Sequence, residues 1–215
     1  MFGWKGAGRQ KTFRVSEPSG AFSGAQTVEA TGVLTGITAG TKIGTAIGWR
    51  DAASLQAGDM VLTFDNGLQP LEGVTRRQLW SGEEACPVQF WPLLVPTGVL
   101  ENSSPIMLLG RQGVMLESDI AEALYGDPFA LLPAAALEGL HGIERMYPAD
   151  PIEVITLEFR SEQVVFGDHG TLLFCSAGGD LLERATAEKP ETVGYNMLAE
   201  TKASQLVEMG VLEVA

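Results

Sequence analysis

The stretch Gly40 to Pro70, GTKIGTAIGWRDAASLQAGDMVLTFDNGLQP, decides the fold of this chain. Lys42 to Ile47 is a short strand candidate closed by Gly48. The turn pair Gly58-Asp59 leads into a clearer strand, Met60 to Phe64, which reads MVLTF. Asp65-Asn66-Gly67 follows. Asn and Gly tolerate positive φ, so this is a hairpin turn. The return strand runs from Leu68 to about Leu79, and Pro70 inside it marks an edge or a bend.

Short strands continue downstream. Pro87 to Val95 is apolar and aromatic and ends at the turn Pro96-Thr97-Gly98. Ile106 to Leu109 and Val114 to Leu116 flank Gly110-Arg111-Gln112-Gly113 and read as a hairpin. Ser118 is an N-cap for a short helix, Asp119 to Tyr125, stopped by Gly126 and Pro128. Pro133 heads a second expected helix, Ala134 to Leu140. Val154 to Phe159 and Gln163 to Phe166 read as another hairpin, followed by a strand over Thr171 to Cys175. Many short strands, Gly/Pro turns and a few small helices predict a mostly-β single domain over residues 32–178. Residues 1–31 read as a flexible leader. Residues 179–215 read as an extension carrying a short amphipathic helix, Glu200 to Met209.

Composition narrows the function. At 215 residues and 45% apolar content the chain can bury a full core. The net charge of −13 is uneven: Lys5, Arg9, Lys11 and Arg14 stand in the first fourteen residues without an acid, and the remainder holds all 27 acids. So acidic a body argues against nucleic acid, whose affinity comes largely from phosphate attraction. The basic arm reads as a solvated tail, or as a contact for an anionic partner or the chain's own acidic body. No apolar run reaches the roughly 18 residues of a membrane span, and no apolar region follows the basic start as in a cleaved signal peptide. The expected location is cytoplasmic, with secretion by a route independent of an N-terminal signal left open. Cys86 and Cys175 make no disulfide framework and lack zinc-site spacing, so both read as buried free thiols.

In order and wording, the segments above resemble the Hedgehog/intein (Hint) self-processing family, and most closely its bacterial group. The resemblance covers about 140 residues. It rests on Gly40-Thr41-Lys42-Ile43-Gly44-Thr45, Gly58-Asp59-Met60-Val61-Leu62-Thr63 and Asp65-Asn66-Gly67-Leu68-Gln69-Pro70. It continues through Ser118 to Gly126, Ala130-Leu131-Leu132-Pro133-Ala134 and Ile152 to Val165. It implies the twisted, horseshoe-like all-β body of the family, and a reaction that needs no cofactor. In that group the nucleophile lies four residues before the Gly of the GT pair, a position held here by Gly36. The block carrying a catalytic histidine corresponds to Asn102-Ser103-Ser104-Pro105, with Pro105 in the histidine's place. A further histidine corresponds to Glu162. Glycine offers nothing to attack with, and Pro105 cannot protonate a leaving backbone nitrogen.

Thr35 and Thr38 flank the gap as stand-in nucleophiles. Thr35 is one residue out of register and so faces the other way in a strand; Thr38 keeps the face but addresses a different peptide bond. Cys175 and His169 are the one Cys/His couple close in sequence, and Asp168-His169-Gly170 reads most simply as a turn. His141 reads as a helix C-terminal histidine. Two histidines without clustered partners give no metal site. No phosphate loop, nucleophile elbow or zincin motif is present. Glu83, Glu84 and Glu122 show no pairing suited to glycoside hydrolysis, and Trp49 and Trp91 read as core or turn anchors. The leading expectation is a degenerate Hint-like domain, a non-catalytic binding or assembly module with a protein partner. The alternatives are a self-processing domain with a non-standard nucleophile and a structural subunit of a bacterial or phage-like assembly.

Overall fold

A computed structural model describes residues 31–178 and 194–211. The expected leader (Thr31 apart), residues 179–193 and residues 212–215 lie outside the described residues. In chain order the strands are β1 (Ile37–Thr38), β2 (Lys42–Thr45), β3 (Gly48–Asp51), β4 (Met60–Thr63), β5 (Gly67–Pro70), β6 (Gly73–Gln78) and β7 (Leu93–Val95). Then come β8 (Ile106–Leu108), β9 (Gly113–Glu117), β10 (Phe129–Pro133), β11 (Glu144–Arg145), β12 (Glu153–Glu158), β13 (Gln163–Gly167) and β14 (Thr171–Cys175). Among the described residues the α-helices are α1 (Asp119–Tyr125) and α2 (Glu200–Glu208). Neither is long and apolar enough to cross a membrane.

The strands form two antiparallel sheets that do not close into a barrel. One has six strands in the order β11-β7-β8-β1-β12-β6. The other has eight, in the order β10-β9-β14-β13-β2-β4-β5, with β3 added beside β2. A single apolar cluster spans both: Ile37, Leu93 and Ile155 from the first meet Ile43, Val61, Val165 and Leu173 from the second. The β4–β5 hairpin forms as expected. Leu62 lies opposite Leu68, Gly67 takes φ +63°, and Thr63 Oγ1 donates to Gly67 O at 2.8 Å. The first helix also matches: Ser118 Oγ accepts from Ile120 N–H, and Gly126 closes it at φ +77°.

Three expected pairings come out differently, for one reason. The return strand from Leu68 breaks into β5, an edge of the eight-stranded sheet, and β6, an edge of the six-stranded one; Leu71, 2% exposed, anchors the corner between them. The segments around Gly110–Gly113 are no hairpin either, because β8 lies in the first sheet and β9 in the second. Likewise β12 pairs with β1 and β6, whereas β13 pairs with β14, β2 and β4. At each corner the chain changes sheets, and a buried residue (Leu71, Leu109 or Phe159) plugs the bend. The second expected helix is a 3₁₀ turn over Ala134–Leu137, since Pro133 serves as the last residue of β10.

The C-terminal helix packs into the body. Ala203 and Leu206 of α2 are fully buried in the main cluster. Ahead of it, Leu198 N–H donates to Leu131 O at 2.9 Å, and Tyr195 and Met197 cover a small cluster of Met115, Leu131 and Val164. Tyr195 Oη donates to Asp65 in the β4–β5 turn.

Candidate functional site

Gly36 leads into β1, a central strand held by β8 on one side (Ile37 opposite Leu108) and β12 on the other (Ile37 opposite Ile155). Its backbone takes φ +121°, where only glycine is comfortable. A Cβ there would stand 2.6 Å from Val154 Cγ1 and 3.2 Å from Ile155 O. Conformation and packing therefore both exclude a side chain. Gly36 N–H donates to Gln112 Oε1 at 3.0 Å, and Gln112 is buried with its Nε2 on Gly113 O (3.0 Å) and Phe174 O (2.8 Å). The Gly36 amide is thus pinned by a carboxamide whose own groups are satisfied.

The stand-in threonines differ. Thr35 is exposed. Thr38 is buried, and its hydroxyl donates to Met107 O at 2.9 Å and lies 3.2 Å from Thr41 Oγ1. Pro105 precedes β8 by one residue, three residues before Leu108, which is about 10 Å along a strand. Glu162 lies past the end of β12, in the corner before β13. The structure therefore does not gather Gly36, Pro105 and Glu162 around one point.

The remaining motif residues hold turns. Thr45 Oγ1 donates to Gly48 O at 2.6 Å across the β2–β3 turn. Asp59 accepts from Gln56 N–H at 2.9 Å and ion-pairs with Arg50 Nη1 at 2.9 Å. Thr41 N–H donates to Thr38 O, closing the turn after β1. Cys175 and His169 sit at opposite ends of β14 and its preceding turn, with Cys175 opposite Gln163. Full burial pushes the Cys175 thiol up to about 12, so it holds its proton and stays inert. Burial also raises Cys86.

A second constellation joins residues the sequence keeps far apart. The β13–β14 turn, Asp168-His169-Gly170, folds against the loop before β8. Asp168 is 2% exposed, and its carboxylate accepts from Ser104 N–H at 2.7 Å and from Ser104 Oγ at 3.1 Å. Ser103 Oγ lies 2.8 Å from His169 Nδ1, and Trp49 lays its ring 4.4 Å from the imidazole. Of the four described non-glycine residues with positive φ, three (Glu101, Asp168 and His169) are here. A cleft of about 490 Å³ opens beside Glu101 and His169, walled by Phe64, Phe129, Phe166 and Leu172, with Glu101, Glu117 and His169 as the ionisable groups among its described lining residues. Gly36 and Ser103 do not line it, but His169, the partner of Ser103, does. Among the described residues no group of His, Cys, Asp and Glu could hold a metal ion.

The comparisons with known proteins come from family models and solved structures; no curated protein matches. The solution structure of a bacterial intein-like domain from Clostridium thermocellum superposes with a TM-score of 0.47 at 15% identity, over 66% of this chain and 99% of that one. A splice-inactive, GSH-linked variant of the AceL NrdHF class 3 split intein gives 0.40 at 14% identity, over 67% of this chain and 99% of that one. The gp41-1 intein gives 0.39 at 13%, over 66% and 98%. The Hint domain model matches residues 35–171, well over half of the chain, and starts beside the strained glycine described above. The chain belongs to the Hint domain family.

Proposed function

We propose that this Hint domain no longer performs chemistry on its own backbone and serves as a binding or assembly module for a protein partner. Gly36 carries the reading. With φ +121° and Val154 Cγ1 2.6 Å from where a Cβ would stand, the position is built around the absence of a side chain. A nucleophile also needs a base or acid beside it, and here the amide faces the neutral Gln112 carboxamide. Thr38 is committed to Met107 O. The binding half of the reading draws on the outer face of β3, β4 and β5. Trp49, Met60, Leu62 and Leu68 are each more than a third exposed there, and Ile47 in the adjoining turn is 81% exposed. A half-buried antiparallel sheet normally turns polar side chains outward, so an apolar outer face suits a partner. Its expected setting is the cytoplasm.

The test is intact-mass measurement of the purified chain over long incubation, with and without a thiol or hydroxylamine. One mass, that of residues 1–215, is expected throughout. A product ending between residues 34 and 38 would overturn the reading.

A further inference from the structure

We propose that Ser103 and His169 form a nucleophile–base pair that takes up acyl groups from neutral carboxylic esters, with the aromatic cleft holding the acyl chain. This site is separate from the Gly36 position, and its test does not depend on the binding role. The 2.8 Å contact between Ser103 Oγ and His169 Nδ1 is the spacing at which an imidazole accepts a hydroxyl proton. Nδ1 accepts when the ring proton sits on Nε2. The ring is held on one side by Trp49 and the serine on the other by the loop that Asp168 anchors through Ser104. Both partners are exposed, so an ester can reach them.

Backbone cost points the same way. Positive φ at a non-glycine residue is unfavourable and clusters where function holds it. Here it falls on Glu101, Asp168 and His169, on adjoining loops. Gly170 makes this approach possible, since a Cβ on it would lie 2.5 Å from Glu101 O. The cleft then selects the ligand. Phe64 and Phe129 meet edge to face at 4.9 Å and offer an apolar wall. Among the described residues no Lys or Arg lines the cleft, and Glu101 and Glu117 repel a carboxylate. An uncharged, apolar acyl chain fits; an anionic one does not.

In the reaction, Ser103 Oγ bonds to the ester carbonyl carbon while its proton passes to His169 Nδ1. The tetrahedral adduct collapses as the carbon–oxygen bond to the alcohol breaks, and the alcohol leaves with that proton. The acyl group remains on Ser103 until water, deprotonated by His169, releases it as the acid. The Ser103 and Ser104 amides already donate to Asp168, at 3.1 and 2.7 Å, and so do not stabilise the oxyanion. A missing oxyanion donor costs about 10²–10³ in rate. Acylation and deacylation are both slowed by this, and the acyl group accumulates on Ser103 when the ester carries a good leaving group such as p-nitrophenolate.

The experiment is incubation of the full chain with p-nitrophenyl hexanoate, read by intact mass and peptide mapping. One hexanoyl group on Ser103 is expected. The anionic ester mono-p-nitrophenyl glutarate should react at least about tenfold more slowly, a penalty of roughly 1.4 kcal/mol. Ser103→Ala should abolish the adduct, and Ser204→Ala, a remote hydroxyl on α2, should leave it intact. His169→Ala should slow labelling about 100-fold or more. Ser103→Cys keeps a nucleophile in place and should form a thioester that hydroxylamine removes. No adduct on the native chain, an adduct that survives Ser103→Ala, native-rate labelling of His169→Ala, or an unreactive Ser103→Cys would each overturn the proposal.

Discussion

Gly36 shows how one residue can be fixed both by its backbone conformation and by its surroundings. Its amide is needed by Gln112, and its missing side chain leaves room for Val154 between β1 and β12. An alanine there meets two penalties at once, the left-handed backbone and the overlap with Val154. Together these cost about 2–4 kcal/mol. Gly36→Ala should therefore lower the urea midpoint with an unchanged slope, and Gly36→Cys should be destabilised at least as much without gaining self-cleavage. A variant as stable as the native chain would show that the position tolerates a side chain after all.

At the scale of elements, Asp51 ties β3 to what precedes and follows it. Its Oδ1 accepts from Ala53 N–H at 2.9 Å, capping the 3₁₀ turn Ala52–Ser54, and from Gly40 N–H at 3.1 Å. Burial works to raise this carboxyl, but the Ala53 and Gly40 amides and the Lys42 ammonium together hold it below the ordinary carboxylate range. The sign follows. A folded-state value below the unfolded one stabilises the protein above the ordinary range, and the gain is lost as pH falls through the folded value. Asp51→Asn should melt below the native chain at neutral pH, and the gap should close in acid. A gap independent of pH would mean that the charge contributes nothing.

The elements also show what can be read from a chain and what cannot. The β4–β5 hairpin was legible because its turn chemistry, Asp65-Asn66-Gly67, is local and its first strand alternates buried and exposed residues. Helix α1 was legible from Ser118 and Gly126 for the same reason. The corners at Leu71, Leu109 and Phe159 were not, because a tight turn within a sheet and a bend between sheets use the same residue types. Which occurs depends on what waits across the core. The Ser103–His169 contact was hidden by the separation of 66 positions between its partners. The one local sign was a polar pair of loops, Asn102-Ser103-Ser104 and Asp168-His169-Gly170, each set between apolar strands. Gly36 was singled out from the resemblance alone, whereas the crowding by Val154 that a side chain there would meet is visible only in three dimensions.

For the whole molecule, the boundary between body and extension is set by packing. Leu206 is fully buried in the core shared by both sheets, and Val211 beyond it is 3% exposed. Leu206→Ala should cost about 2–5 kcal/mol, a global loss detectable as a fall in thermal midpoint by any probe of the sheets. A change confined to α2 signals would mean that the helix rides on the body without supporting it.

The placement of β1 has a consequence for how the protein is made. The strand precedes both of its neighbours in the chain, β8 and β12, which meet it at Leu108 and Ile155. Until residue 155 has been translated, the nascent polypeptide carries an unfilled groove in the middle of its first sheet. Vectorial synthesis therefore cannot complete this domain piecemeal, and β1 gains its second neighbour only once β12 has emerged.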